Sequence, residues 1–423
     1  MIARLSAHRG AFWLLVATSF ANVIAYLYQV VMARLLRPED YAILTALFGI
    51  ILVESIGAQV IQAATARIAA RYRALGDEAA LHVFVRRWSK RIAVGAVPPA
   101  LLVALAAAPI SDALSLSHFS VALLGVTLFF AAALTFTAGL LQGLARFGWL
   151  GSNAVLQAGT RLAVGVALVL LGAGVDGAIV GAASALAVGF VGTLIPLAPL
   201  FRAARDSSHE AELGSAETRF FLRAALMLLA YAALTNMDAV VARARLLPED
   251  AGAYAGAITM AKVVLFAPIA VGFILLERTA RAHAQGRDTE RALFLALGFV
   301  LATSGAVAAA YGEAPAFFTA LVIGGQYPAT ASIVGLYGAA ALSNALLTLW
   351  NAYFIGRGEM KVGALFALAV VVQLALLLAV PRDIQSMVRV VLGVSLAMQV
   401  AAIAIFVWEL ALRRRVVGAR VPR

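Results

Sequence analysis

Twelve apolar stretches, each about twenty residues long and nearly free of charge, follow one another from end to end of this sequence. Short charged or turn-forming segments separate them. Crossing a bilayer core of about 30 Å takes about 20 apolar residues of helix, and these stretches are of that length. Bounded by charge and turn residues, they fall at 11–33, 41–64, 91–110, 118–141, 151–172, 177–201, 219–242, 252–276, 291–312, 328–355, 362–380 and 385–412. No soluble core absorbs so much apolar surface. Hydrophobic residues make up 63% of the chain and charged residues 13%, against roughly 45–50% and about 25% in soluble domains. Backbone groups in lipid must be satisfied within the segment, and no stretch alternates with period two, so the spans are helices and not barrel strands. The sequence therefore predicts an all-α integral membrane protein of about twelve transmembrane helices.

Charge gives the orientation. Of the 33 Lys and Arg residues, 24 fall at the N-terminus, in the even-to-odd connections and at the C-terminus, and six on the other side. The positive-inside rule then places both termini in the cytoplasm. Arg4 and Arg9 precede a first apolar run too long for a cleaved signal peptide, so that helix is read as retained. The +12 net charge follows the membrane, which points to anionic membrane lipids as partners and away from nucleic acid. Residues 77–91 set Leu81, Phe84, Val85 and Trp88 against Arg86, Arg87, Lys90 and Arg91, which predicts an amphipathic helix on the inner leaflet. Cysteine is absent and the five histidines are scattered without i,i+4 spacing, so no metal site or cofactor is expected.

The chain also repeats itself. The segment from Ala33 to Ala42, with Pro38-Glu39-Asp40, resembles Ala244 to Ala255, with Pro248-Glu249-Asp250, and the two prolines are 210 residues apart. Arg146 and Arg357 form a second echo, each after the fourth helix of its half. Six helices per repeat make the halves parallel, a construction used by transporters that rock one half against the other. The expected organisation is a six-helix lobe at 1–201, a cytoplasmic linker at 202–218 and a second lobe at 219–423. Proline in the first turn, followed by acidic residues, caps each re-entering helix. The Gly139-xxx-Gly143 and Gly252-xxx-Gly256 pairs suit close helix approach.

Four segments, "MARLLRPEDYAILTALFGII", "LLQGLARF", "LTNMDAVVARARLLPEDAGAYAGAITMAKVVLF" and "GGQYPATAS…NAYFIGRGEMK", resemble the oligosaccharide flippases of the multidrug/oligosaccharidyl-lipid/polysaccharide (MOP) exporter superfamily. The resemblance runs over essentially the whole chain. It implies two six-helix lobes around a central cavity and export of undecaprenyl-diphosphate-linked glycans across the bacterial inner membrane. Lipid II-type flippases and multidrug extruders share the superfamily and are the alternative readings. A glycan polymerase or other export machinery is the kind of partner it implies.

Ionisable and amide groups inside spans are functional candidates, because lipid makes them costly. Arg161 and Lys262, near the midplane by helix rise, suit a cavity for a diphosphate headgroup, or else pair with buried carboxylates for structure. Arg67, at the cytoplasmic end of the second span, is a headgroup contact or an interface anchor. Asp238 and Glu54 are candidates for ion coupling or gating, with an Asp238–Lys262 pair or simple interhelical bonding as the competing readings. Asn22, Asn236, Asn153, Gln157, Asn344 and Asn351 are candidate contacts for sugar hydroxyls, or ties between helices. No Walker A, HExxH or glycosyltransferase-like aspartate pair is present, so the chain is read as a transporter and not an enzyme.

Overall fold

The computed structural model describes residues 2–106, 108–109, 111, 117–202, 215–285, 288–359, 362–380 and 382–418, and among these there is no strand. The chain forms two compact units, Met1–Ala225 and Leu226–Arg423. The first contains α1 (Ile2–Leu35), α2 (Pro38–Leu75), α3 (Glu78–Leu105), α4 (His118–Gly143), α5 (Phe147–Leu168) and α6 (Gly174–Arg202). The division falls inside α7 (Ser215–Arg245). The second unit continues with α8 (Pro248–Ala284), α9 (Glu290–Glu313), α10 (Val334–Gly356), α11 (Val362–Ala379) and α12 (Ile384–Gly418). Seven stretches of described residues are long and apolar enough to cross a membrane.

The second helix of each unit starts where the proline turn predicts. Pro38 opens α2 after Arg37 in an extended conformation, and Pro248 opens α8, each followed by Glu and Asp in the first turn. The hydrogen bonds across the two breaks correspond one for one: Leu36 N–H to Met32 and Tyr41 to Arg37, then Leu246 to Ala242 and Ala251 to Leu247. The later echo is different. The connection after α4 places Ala145 at φ 54° and the one after α10 places Gly358 at φ 75°. Both are left-handed helix ends of the Schellman type: Arg146 N–H reaches Leu141 O, and Glu359 N–H reaches Phe354 O. Ala145 thus corresponds to Gly358, and Arg146 to Glu359. Arg146 and Arg357 both lie in the connection after the fourth helix, as expected, but two residues out of register.

Each unit packs by the same scheme. In the first, α4 lies against α2, α3 and α6, and α5 lies against α1 and α6; in the second, α10 lies against α8, α9 and α12, and α11 against α12. The α7 helix joins by side chains: the Tyr231 hydroxyl donates to Asn344 O at 3.0 Å, and the Gln373 amide to Leu234 O at 2.8 Å. Gly139 and Gly143 let α4 sit directly on α2. A Cβ at Gly139 would lie 2.7 Å from Gln62 O, and one at Gly143 would collide with Ala66 O. Gly256 serves another contact: a Cβ there would meet Ile323 and Thr330, in the connection between α9 and α10.

Two sequence expectations change here. The 77–91 segment is not a separate surface helix but the first half of α3, because Leu81, Phe84 and Val85 bury against Tyr72, Phe136 and Leu140. The tenth span begins at Val334 rather than 328. A short helix, Pro315–Val322, and a 3-10 turn, Pro328–Ser332, precede it.

Candidate functional site

In the N-terminal unit, α5 presents Asn153, Gln157 and Arg161 at intervals of four, which sets them along one stripe of the helix. The Asn153 amide donates to Gly189 O on α6 at 2.8 Å, and Gln157 donates to Asn153 Oδ1 at 3.0 Å. Both line a cavity of about 620 Å³ with Thr18, Gln62, Gln142 and Thr193 among its other walls. Gln62 on α2 donates across it to Gln142 on α4 at 3.1 Å. The lining is rich in amides and hydroxyls and holds no carboxylate.

Arg161 lies one turn beyond Gln157. Its guanidinium carbon sits 5.4 Å from the Phe48 ring centre and 6.0 Å from that of Tyr28, within cation–π range. Tyr28 is fixed by its own hydroxyl, which donates to Ala178 O at 2.9 Å. No carboxylate among the described residues pairs with Arg161, and its buried Nε has no acceptor. A buried donor without a partner costs about 1–3 kcal/mol, and a phosphate oxygen is the kind of acceptor that removes this cost.

The C-terminal unit buries a carboxyl group instead. Asp238 on α7 is buried, and its Oδ2 accepts from the Tyr337 hydroxyl at 2.6 Å and from Tyr254 at 2.9 Å. The two tyrosine rings meet edge to face at 5.4 Å. Oδ1 has no hydrogen-bond partner. The hydrogen-bond partners of Asp238 are therefore tyrosines; Lys262, the partner that one sequence reading offered, is half-buried on α8.

The other predicted residues are dispersed. Asn22 and Arg67 are exposed on α1 and α2. Asn236 bonds back to Ala232 O of its own helix at 2.9 Å. Asn344 and Asn351 are buried on α10, and the side-chain oxygen of each lacks a donor. Glu54 lies on α2, but its side chain is outside the described residues.

Sequence reasoning missed Gln62 and Gln142, which stand at the edges of their predicted spans and read as boundary residues. It also missed Tyr28, Tyr254 and Tyr337, whose apolar bodies hide a polar end. For Tyr28 alone there was a signal in position: it precedes its proline by ten residues, as Asp238 precedes Pro248.

Comparison with known proteins places this geometry. The model of the polysaccharide biosynthesis protein family matches residues 7–275. No curated protein matches the chain. Among solved structures, an outward-facing multidrug resistance MATE family transporter of the MOP superfamily superposes with a TM-score of 0.63 at 16% identity, over 97% of this chain and 96% of its own. A MOP superfamily transporter from Pyrococcus furiosus, described as having a binding pocket of reverse polarity, gives 0.60 at 17% identity over 98% and 96%. The lipid II flippase MurJ in an inward closed conformation gives 0.66 at 12% identity over 92% and 86%. The fold is that of the MOP transporters, with twelve helices in two six-helix lobes.

Proposed function

Because the chain belongs to the polysaccharide biosynthesis protein family, we propose that it flips lipid-linked oligosaccharide, carried on undecaprenyl diphosphate, across the bacterial inner membrane by alternating access. Both termini are on the cytoplasmic side in this reading, which the distribution of Lys and Arg supports. The single observation that carries the choice of cargo is Arg161. A cation stacked on Tyr28 and Phe48, with an unused buried donor and an amide-lined cavity one turn away, suits a diphosphate and its first sugars. It repels the cationic drugs that an extruder of the same fold would take. Lys262 and Arg67 remain secondary headgroup contacts, and Asp238 remains the coupling candidate. Its second oxygen is open to a proton or cation while the first keeps both tyrosines. A polymerase that consumes the delivered repeat units is the expected downstream partner.

The likeness to a lipid II flippase supports a second reading, in which the cargo is a peptidoglycan precursor on the same diphosphate carrier. Complementation separates the two. Wild type is expected to restore surface glycan in a strain lacking its own glycan flippase. Arg161→Ala, present in the membrane at equal amount, should restore about tenfold less, the loss of a charge-assisted contact, and Arg161→Lys an intermediate amount. Equal rescue by Arg161→Ala refutes the role of that cation. Rescue of a lipid II flippase depletion without surface glycan moves the cargo to the second reading.

A further inference from the structure

A second cavity, of about 200 Å³, lies between α3, α4 and α6 of the N-terminal unit. Phe129, Phe136, Phe190 and Phe201 line it, with Ala93 and Ala133 supplying the space. The two hydroxyls in its wall are already used. Ser89 donates to Val85 O, and Thr137 bonds Leu134 O at 3.0 Å and Thr193 at 2.7 Å. Nothing in the wall is left to hold water or sugar, and an apolar cavity of this kind stays dry until an apolar group enters it. Ala93 and Phe201 are exposed, so the cavity opens at the surface.

The same face of α3 is basic one turn earlier. Arg86, Ser89, Lys90 and Ala93 fall at helical spacing along one stripe, and Arg87 and Arg91 form the adjoining one. All four cations are exposed. Arg91 is positioned over Trp88, 5.3 Å from its ring centre. A hydrocarbon slot continuing a cationic stripe is complementary to one chemical class: an amphiphile with an anionic head and an apolar tail. Basic pockets between spanning helices on the cytoplasmic side bind lipid heads in this manner.

We infer that this groove is a binding site for an anionic phospholipid, with one acyl chain between α3, α4 and α6 and the phosphate on Arg86 and Lys90. The bilayer supplies phospholipid in large excess over any lipid-linked intermediate, so mass action seats phospholipid there. The site is separate from the amide-lined cavity and stands whether or not the transport reading is correct. Its effect is to clamp the cytoplasmic half of α3 to α4 and α6.

The test is native mass spectrometry of the purified, delipidated protein, titrated with phosphatidylglycerol, phosphatidylcholine or undecaprenyl phosphate. Wild type is expected to retain one phosphatidylglycerol in preference to phosphatidylcholine. Arg86→Glu/Lys90→Glu should lose that preference by about 25-fold or more, the effect of two basic residues at a lipid surface. Ala93→Phe, which fills the slot from its exposed side, should weaken both phospholipids. Unchanged thermal unfolding in lipid-free detergent would show that each variant is folded. Equal binding of the two phospholipids by wild type overturns the inference. So does undisturbed binding in both variants, or a preference for undecaprenyl phosphate over phosphatidylglycerol.

Discussion

Arg357 stands where three helices of the C-terminal unit meet, and replacing it with alanine strips the positive charge from two carboxylates at once. Its guanidinium contacts Glu359, approaches Glu409 of α12 at 3.0 Å and donates to the Tyr353 hydroxyl at 3.0 Å. Tyr353 in turn exchanges a hydrogen bond with Thr289, at the start of α9, at 2.9 Å. The Arg357 side chain is 3% exposed, whereas Glu359 and Glu409 keep 25% and 24%. Removing one partner of a buried pair costs about 3–5 kcal/mol, because the other charge is left uncompensated. Water reaching the two glutamates relieves part of this, so Arg357→Ala should cost about 3 kcal/mol. In a unit of this size each kcal/mol moves Tm by about 2–4 °C, giving a fall of about 6–12 °C. Trp350, stacked on Phe354 at 5.9 Å and 6.4 Å from Tyr353, is the local fluorescence reporter. The control is Arg357→Met/Glu359→Gln/Glu409→Gln, which removes every charge and should recover to within about 1 kcal/mol of wild type. A fall of under 2 °C in Arg357→Ala refutes the reasoning. A triple variant as unstable as the single one would show that packing, not charge, is what Arg357 supplies.

Ala145 holds a left-handed conformation that Gly358 holds in the second unit, so Ala145→Gly should stabilise by about 1 kcal/mol; thermal unfolding checks the sign. Gly143→Leu drives a side chain into the backbone of α2 at Ala66 and should abolish a monodisperse peak in size-exclusion chromatography, while Gly298→Leu, whose Cβ meets nothing, should not. Asp383 caps α12 by accepting from Ser386 N–H at 2.8 Å, and its hydrogen bonds from Ser386 hold its carboxyl below the ordinary carboxylate range. The stability it contributes is therefore complete above that ordinary range and is lost as pH falls through its own lower value. Asp383→Ala should cost about 1 kcal/mol at pH 7 and flatten the acid limb of the Tm–pH curve. Asp238→Asn keeps an oxygen that accepts from both tyrosines and should cost about 1–3 kcal/mol for its buried amide donors, yet remove any dependence of glycan export on the ion gradient; gradient-dependent export by this variant rules Asp238 out as the coupling site.

How far the sequence could be read follows from which forces act locally. The spans were legible because the requirement for apolar helix in lipid acts on every residue of a segment. The Pro38 and Pro248 starts were legible because a proline turn is a local device. The α3 start was not: Arg86, Arg87, Lys90 and Arg91 suggested a separate helix lying on the membrane, and only the packing of Leu81, Phe84 and Val85 on α2 and α4 makes it the beginning of a longer helix. Asn153 and Gln157 were recognisable as polar residues inside a span. Their meeting with Gln62 and Gln142 depended on α4 approaching α2 through Gly139 and Gly143. The hydrogen-bond partners of Asp238 were missed for the same reason. Opposite charge suggested Lys262, whereas the fold delivers Tyr254 and Tyr337.

The repeat explains why scaffold and chemistry separate so cleanly. Hydrogen bonds across the α1–α2 and α7–α8 breaks match at an offset of 210 residues, and in that register Asp238 occupies the place of Tyr28. In the first unit that place is an aromatic ring carrying Arg161; in the second it is a carboxylate held by two tyrosine hydroxyls. The proline turns and the left-handed helix ends recur in both units, because each is a local backbone device. The residue at the equivalent point differs in kind, a neutral phenol in the first unit and a carboxyl in the second. Under the proposed function, the first copy would hold the anionic headgroup and the second the coupling proton or cation. A carboxylate placed beside the guanidinium tests the division: both Tyr28→Asn and Tyr28→Asp leave a cavity and lower Tm alike, but only Tyr28→Asp should pair with Arg161 and extinguish glycan export. Export at the wild-type rate in that variant would show that the guanidinium is not where the diphosphate binds.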